Sequence, residues 1–295
     1  MRKNSKSKIQ NQKSALVIGV DAGGTKIRGV LMQNNKIFKK AEVLHDVKRV
    51  TQKVFLNSLF IVLNSLFTPG VQKIGIGVPG IVKNNKVINA GVVKDLVDLE
   101  IKKAVEQKYK AKTMLDNDVN VALRAEMKNL SRAESVFMLT LGTDIGGAYW
   151  ENGRIDPGAF DTAYELNQMI IDYKSKKKLK NFCASEFFLA KGFKPLESEN
   201  KARQGNKTHQ KLWQEFGSNL GIALANVVNL IEPDIILIGG GLAHAWPLFI
   251  KQAGRTMKHL ILSPLARKKI KILKAKNVKW SGAIGAAYLA QEIES

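Results

Sequence analysis

The sequence predicts an α/β protein with two related halves. Each half opens with an apolar strand, a turn that contains glycine, a second strand and a hairpin. These units cover residues 15–37 and 136–155, roughly 120 residues apart, which indicates two related half-molecules. Elsewhere strands alternate with helical patterns, and this alternation favours a largely parallel sheet with ligands at the carboxyl ends of its strands.

The first unit carries the most informative motif of the chain. The apolar run Ala15–Val20 predicts a buried strand that ends in the turn Asp21-Ala22-Gly23-Gly24-Thr25-Lys26. Glycine lets backbone N–H groups approach an anion closely because it lacks a Cβ. A cation such as Mg²⁺ would separate the Asp21 carboxylate from a phosphate. By itself, the motif also fits a plain glycine-rich hairpin.

A second copy of the unit strengthens the phosphate interpretation. The strand Val136–Leu141 is followed by the turn Gly142-Thr143-Asp144-Ile145-Gly146-Gly147, and Asn152-Gly153 indicates a two-residue hairpin. Two such turns can bind the two ends of one phosphate chain from opposite walls of a cleft.

The other predicted elements fill the two halves. A smooth stripe of Gly217, Gly221 and Ala225 on a long helix predicts close helix packing. The predicted elements are, in order, a helix near residues 50–67, a strand Lys73–Val78 that exits through Pro79-Gly80, a helix Leu99–Tyr109, a strand Lys112–Leu115, a long helix Lys211–Ile231, a strand Ile235–Ile238 and a small-residue helix Gly282–Ala290.

The predicted domain organisation follows from these elements. A basic tail, residues 1–14, is expected to be disordered. The first α/β domain is predicted over residues 15–118 and the second over residues 119–281, with the C-terminal helix, residues 282–295, joined to the first domain.

The candidate catalytic group follows the strand Lys112–Leu115. Asp116-Asn117-Asp118-Val119-Asn120 lies between this strand and a helical pattern. One Asp or Asn is expected there as a helix N-cap, but four such residues in five positions exceed that need. A carboxylate at this place can accept the proton of a substrate hydroxyl that attacks a phosphoryl group. The local sequence leaves both N-capping and catalysis open.

A glycine run marks a further candidate binding site. After the strand Ile235–Ile238, the three residues Gly239-Gly240-Gly241 permit the close approach of a flat ligand such as adenine. A bare glycine turn is the alternative interpretation.

Composition limits the classes of partner. The net charge of +22 is carried mostly by lysine, and we ascribe it to solvated surface, with attraction to polyanions as the alternative. Nucleic acid is not the expected partner, because no helix-turn-helix pattern precedes the first strand and aromatic residues are not interleaved with the basic runs. No apolar stretch approaches the ~20 residues of a membrane helix, and the single Cys183 excludes an internal disulfide. We therefore expect a cytoplasmic protein with no membrane partner.

Together these motifs resemble those of the ROK family of sugar kinases and repressors, over nearly the whole chain from Ala15 onward. The resemblance implies a two-domain actin-like ATPase fold of the α/β class (ribonuclease H-like), with mixed sheets and an interdomain cleft. The matching motifs are two phosphate motifs at Asp21–Lys26 and Leu141–Gly147, the catalytic segment Asn117–Asn120, an adenosine motif at Gly239–Ala243 and an interdomain connection at Gly282–Ala287.

The resemblance implies roles for individual residues. Asp118 would be the general base, and Asp21 would act on Mg²⁺ through water or phosphate. The implied ATP and phosphate contacts are Asp21, Gly23, Gly24, Thr25, Lys26, Gly142, Thr143, Gly146, Gly240 and Gly241, and the implied sugar contacts are Asn117, Glu165, Gln168 and Asn181.

The sugar end of the chain departs from the family pattern. Relatives have a zinc-binding His where this chain has Gln168, a sugar-binding Glu at Asn181 and a zinc-binding Cys at Leu179. An Asn that relatives have after the Val78-Pro79-Gly80 turn is replaced here, with Val92 at the expected place. We therefore predict that the protein holds no structural zinc, and stoichiometric zinc in the purified protein would contradict this.

The resemblance implies ATP- and Mg²⁺-dependent phosphorylation of a sugar hydroxyl, as in a glucokinase. The alternative is a non-catalytic sensor of nucleotide or sugar with the same fold, which the altered sugar positions favour. Polyphosphate as the donor, or nucleic acid as a partner, is a third interpretation suggested by charge alone. The identity of the sugar stays open, and a homodimer is the state expected of relatives.

Overall fold

Two five-stranded sheets, two two-stranded sheets and ten α-helices are the main elements of the described part of the protein. The structure is a computed structural model that describes residues 15–45, 50–90, 93–130, 132–162, 164–276 and 279–294. The described strands are, in chain order, β1 (Leu16–Ala22), β2 (Lys26–Gln33), β3 (Lys36–Leu44), β4 (Val71–Val78), β5 (Ile81–Lys83), β6 (Lys86–Asn89), β7 (Lys112–Asn117), β8 (Ser135–Leu141), β9 (Ile145–Glu151), β10 (Arg154–Asp156), β11 (Ile170–Asp172), β12 (Lys177–Lys178), β13 (Ile235–Gly239) and β14 (Lys271–Lys274).

The two sheets have the same topology. The first sheet has the order β3-β2-β1-β4-β7, and the second has the order β10-β9-β8-β13-β14. In each sheet a hairpin-linked antiparallel trio is extended by two parallel strands. The sheets are therefore mixed, as the family resemblance implies, and the largely parallel sheet predicted from strand–helix alternation is wrong.

The predicted hairpins have the turn geometry that their residues favour. Asn34 and Asn35 adopt positive φ angles of 52° and 60°, and Asn152 and Gly153 adopt 51° and 84°. Two consecutive positive φ angles characterise the tight turn that matches the twist of paired strands, and Asn and Gly tolerate them best. Both units therefore close as the sequence predicts.

The helices surround the sheets at nearly the predicted places. Helix α1 starts after the N-cap Thr51, and α7 starts four residues before its predicted start because Asn206 caps it with its side chain. The helices are α1 (Gln52–Leu66), α2 (Ile101–Tyr109), α3 (Asp118–Met127), α4 (Lys180–Cys183), α5 (Ser185–Leu189), α6 (Pro195–Arg203), α7 (Lys207–Ile231), α8 (Trp246–Leu260), α9 (Pro264–Lys269) and α10 (Ser281–Glu292).

Glycines set the close packing of two helix pairs. A Cβ at Gly217 or Gly221 of α7 would lie 2.5 or 2.6 Å from a carbonyl oxygen of α8, which confirms the predicted structural role of that stripe. Helix α10 packs on β1 and β4 in the same way, because a Cβ at Gly19 or Gly75 would lie within about 2 Å of its backbone. The C-terminal helix therefore lies on the first sheet, while the domain boundaries themselves stay a prediction.

Helix α3 connects the two sheets. It contacts β4 and β7 of the first sheet, β8 and β9 of the second, and α10. Its N-terminal end therefore lies where the two sheets meet. Within the described ranges, no helix has both the length and the apolar composition needed to span a membrane.

Candidate functional site

The polar side chains of the segment 116–120 differ in their hydrogen-bond partners. Asn117 is the N-cap of α3: its Oδ1 accepts from Val119 N at 2.8 Å, and its Nδ2 donates to Gly80 O, in the turn after β4, at 2.8 Å. Asp116 accepts from Asn120 Nδ2 at 2.8 Å and forms an ion pair with Arg124. No described side chain forms a hydrogen bond or an ion pair with Asp118. Asn117 thus caps the helix and Asp116 is paired, and Asp118 is the carboxylate of this segment without a side-chain partner among the described residues.

Asp118 and Asp21 share one cleft between the sheets. A cavity of about 170 Å³ is lined by both aspartates, by Gly240 from the end of β13 and by Gly282 from α10. Burial raises the pKa of Asp118 to about 7, and the negative charges of Asp21 and Glu165 contribute to that rise. Burial also raises the pKa of Asp21 to about 6, against the opposing effect of Arg28 and Lys26. A carboxyl that titrates near neutrality suits a general base.

The first phosphate turn is a tight hairpin beside Asp21. Gly23 N donates to Lys26 O at 3.0 Å, and the Thr25 and Lys26 side chains are exposed. A Cβ at Gly282 would lie 2.6 Å from Asp21 Oδ2, so the start of α10 fixes one side of this carboxylate. The turn thus carries two glycines, a hydroxyl and an ammonium group directly after Asp21, but of this segment only Asp21 is among the residues that line the cavity.

The turn at residues 142–144, in the second predicted phosphate motif, occupies the corresponding place in the other sheet and is one residue shorter than the first turn. Gly142 N donates to Asp144 O at 3.0 Å, and Thr143 lies at the tip of the turn. Gly146 has a structural reason to lack a side chain, because a Cβ there would lie 2.3 Å from Val119 Cγ2. This contact joins the second turn to the first turn of α3.

The glycine run after β13 performs two different tasks. Gly240 has a φ of +85°, and a Cβ there would lie 2.4 Å from Leu141 O, so the backbone of β8 takes the space that a side chain would fill. At Gly241, by contrast, a Cβ would meet no atom within 4 Å. Of the two glycines predicted to contact the nucleotide, Gly241 therefore offers open space, whereas Gly240 serves packing and lines the cleft with its backbone.

A second cleft lies on the other side of α3. It has a volume of about 340 Å³ and is lined by Asn117 and Glu165, and by two carboxylates at and beyond the end of β10, Asp156 and Asp161. Burial, followed by the charge of Asp144, raises the pKa of Glu165. Two of the predicted sugar residues, Asn117 and Glu165, thus line the second cleft, and Asp118, the residue after Asn117, lines the first.

The other two predicted sugar residues lie elsewhere. Gln168 Oε1 accepts from Lys178 Nζ at 2.6 Å, and Asn181 Oδ1 accepts from Lys178 N at 2.8 Å. Neither residue lines the cleft. Both instead accept hydrogen bonds from Lys178 of β12 and so contact the hairpin of β11 and β12. The Val92 position lies outside the described residues.

The family of the chain follows from direct comparison. A model of the ROK family matches residues 17–187 and 189–293. The chain belongs to the ROK family.

Relatives of this ROK protein include both enzymes and regulators. An N-acetyl-D-glucosamine kinase from Photobacterium profundum is 27% identical over 92% of this chain and 98% of its own. The xylose repressor of Bacillus subtilis (strain 168) is 21% identical over 87% of this chain and 72% of its own. A solved ROK glucokinase from Streptomyces griseus, in complex with glucose and AMPPNP, superposes with a TM-score of 0.82 at 21% identity, over 94% of this chain and 100% of its own. The actin-like ATPase fold is therefore confirmed.

The described residues offer few ligands for a metal ion. Among the residues that the structure describes, no three His, Cys, Asp or Glu side chains form a group that could hold a metal ion. Mg²⁺ fits the cleft nevertheless, because it is usually bound by one or two carboxylates together with substrate phosphates and water. Asp21 is the residue that would hold it. The absence of zinc stays a prediction, which metal analysis of the purified protein tests.

Two residues beside the phosphate turns were not predicted from the sequence. His45, which directly follows β3, forms hydrogen bonds to the first turn, and Ser185 forms them to the second. Each is distant in sequence from the turn it contacts, so no local motif could identify it. Asn167, which donates to Asp144 at 3.1 Å near Glu165, was missed for the same reason.

Proposed function

We propose that this ROK protein transfers the terminal phosphoryl group of Mg·ATP to a hydroxyl of a sugar. The observation that carries the proposal is the position of Asp118, which is free of side-chain partners among the described residues and lines the cleft with Asp21, while the preceding residue, Asn117, lines the cleft with Glu165. The cleft with Asp21 and Gly240 would hold the nucleotide. The cleft with Glu165 would hold the sugar.

Each group then has a defined task in the reaction. Asp118 accepts the proton of the sugar hydroxyl as the oxygen attacks phosphorus, and the bond from phosphorus to the ADP oxygen breaks. The two turns donate backbone and side-chain hydrogen bonds to the phosphates from opposite sides. Bound Mg²⁺, held through Asp21, would neutralise phosphate charge. The Glu165 carboxylate, which lines the sugar cleft, would accept hydrogen bonds from sugar hydroxyls.

A coupled assay of ADP release tests the proposal. The panel contains hexoses and N-acetylhexosamines, with ATP as the donor and polyphosphate in a parallel arm. Sugar-dependent ADP release by the wild-type protein supports the kinase. Sugar binding without any ADP release or polyphosphate consumption would favour the sensor. The sensor is also favoured by the hydrogen bonds that Gln168 and Asn181 form with Lys178, because these side chains are then not directed to a sugar.

The pH dependence of the reaction follows from Asp118. Its pKa of about 7 means that the carboxylate is protonated, and cannot act as a base, below neutrality. We expect kcat/KM for the sugar to rise about tenfold per pH unit below pH 7 and to level off above it. A profile that is flat from pH 5.5 to 8 would contradict the assigned role.

The charge of the sugar cleft predicts which sugars are excluded. Apart from Asp116, which is paired with Arg124, the cleft has three carboxylates, Asp156, Asp161 and Glu165, and no Lys, Arg or His among its described lining residues. We expect a uronic acid to have a KM at least about tenfold above that of its neutral hexose, because like charges repel at short range. Higher salt should reduce the difference between the two KM values, because it screens the repulsion. Equal KM values for the two sugars would show that these carboxylates do not face the substrate.

A further inference from the structure

His45 forms a bridge between the first phosphate turn and the core of the first sheet. Its side chain is buried, and its Nε2 lies 3.0 Å from Gly23 O. A carbonyl oxygen only accepts, so Nε2 carries the hydrogen, and Nδ1 is left to pair with Ser58 Oγ of α1 at 3.2 Å. The backbone of His45 also donates to Thr25 O at 2.9 Å. One residue thus binds two carbonyls of the turn.

These two contacts fix the direction of the backbone amides in the turn. In a planar trans peptide the C=O and N–H groups point in opposite directions. The bond from His45 to Gly23 O therefore directs the N–H of Gly24 away from His45. No hydrogen bond to another described backbone group occupies this N–H.

The second phosphate turn has the same arrangement with different residues. Gly142 O, which corresponds to Gly23 O, accepts from both the backbone N and the Oγ of Ser185, each at 2.9 Å. In both turns the carbonyl oxygen of the first glycine accepts a hydrogen bond from a residue that is not part of the turn. The same support of the first carbonyl thus occurs in both turns, and the packing of either turn alone does not require it.

We propose that His45 is a positioning residue for phosphate binding, which it supports by orienting the first turn rather than by touching the nucleotide. This inference rests on the proposed function only in assigning the turn to a nucleotide phosphate. Its ring packs against Phe55, with centroids 6.4 Å apart, so the imidazole has a fixed place from which to hold the turn. Ser58 orients the ring from α1.

Four variants test the role of His45. His45→Leu removes the donor, His45→Gln keeps one, and Ser58→Ala removes the group that orients the ring. Tyr109→Phe is the matched control, since it removes a partly buried hydrogen bond, to Asn64 at 2.7 Å, from α2 of the same half. The readouts are the Kd for Mg·ADP by calorimetry, the KM values for ATP and sugar, and the Tm.

The expected results separate positioning from mere stability. His45→Leu should raise the Kd for Mg·ADP and the KM for ATP about tenfold and leave the KM for sugar unchanged. His45→Gln should stay within about twofold of wild type, and Ser58→Ala should raise the Kd about threefold. Tyr109→Phe should change the Tm alone.

The results that would overturn the role of His45 differ from those that would refute the proposed kinase reaction. A Kd for His45→Leu equal to that of Tyr109→Phe overturns it, as does a wild-type protein that binds no Mg·ADP. If His45→Leu does not fold, an unchanged Kd in Ser58→Ala overturns it. Because binding of Mg·ADP needs no turnover, a wild type without kinase activity would refute the proposed reaction and leave this comparison intact.

Discussion

Replacement of Asp118 by Asn should lower kcat by about 10²–10⁴-fold, the usual effect of losing a positioned base. Asn keeps the size of the side chain but cannot take the proton of the sugar hydroxyl. The Kd for Mg·ADP should stay within about threefold of wild type, because the phosphate turns are unchanged. The measurement is steady-state turnover with saturating sugar and ATP, alongside calorimetry. Turnover within tenfold of wild type would exclude Asp118 as the base.

The stability of the same variant provides the control for unfolding. The pKa of Asp118 is raised in the folded protein from 3.8 to about 7, so folding disfavours its charged form. The resulting loss of stability is absent below about pH 4, where the group is neutral in both states, and is complete above about pH 7. Asp118→Asn should therefore raise the Tm at pH 8, with a gain that disappears toward pH 4. The exposed Asp95→Asn should change neither the Tm nor turnover.

Gly285→Ala should cause the largest loss of stability among simple substitutions. A Cβ at this position would lie 1.5 Å from Val121 O and 2.4 Å from Val121 C. Helices α10 and α3 would have to move apart, at a cost of about 3 kcal/mol in the free energy of unfolding. Because α3 carries Asp118, turnover should fall as well. Urea unfolding followed by circular dichroism measures the effect.

A second glycine provides the comparison for this substitution. Gly254 lies within α8, and a Cβ there would meet only Ile272 Cδ1 at an ordinary 3.9 Å. Gly254→Ala should be neutral or stabilise the protein by up to about 1 kcal/mol, since Ala favours the helix over Gly. Gly285→Ala with wild-type stability would contradict the described packing of α10 on α3.

The two glycine turns could be predicted from the sequence because the residues that form them are local, while their binding of phosphate stays a prediction. A strand, a carboxylate and a glycine turn are adjacent in the chain, and the second copy made the interpretation specific. The segment 116–120 was predictable as a location, but its division of tasks was not. Only the structure shows that Asn117 caps α3 while Asp116 pairs with Arg124, eight residues further along.

The supporting residues could not be predicted, because they depend on tertiary contacts. His45 follows Gly23 by 22 residues and reaches it only because β3 pairs with β2. The glycine run after β13 shows that a sequence pattern can also suggest ligand binding where packing explains a residue. Its composition suggested ligand approach, yet Gly240 is required by the passing backbone of β8. Gln168 and Asn181, which were predicted to contact the sugar, have side chains that can form hydrogen bonds, but both accept from Lys178.

The most direct test is a crystal structure with the sugar that gives the fastest turnover, a non-hydrolysable ATP analogue and Mg²⁺. The account predicts that a carboxylate oxygen of Asp118 lies about 2.6–3.2 Å from the sugar hydroxyl that faces the terminal phosphorus. It also predicts that the backbone of both glycine turns contacts the phosphates. A sugar whose nearest hydroxyl is separated from Asp118 by a layer of protein, or phosphates bound away from both turns, would contradict it.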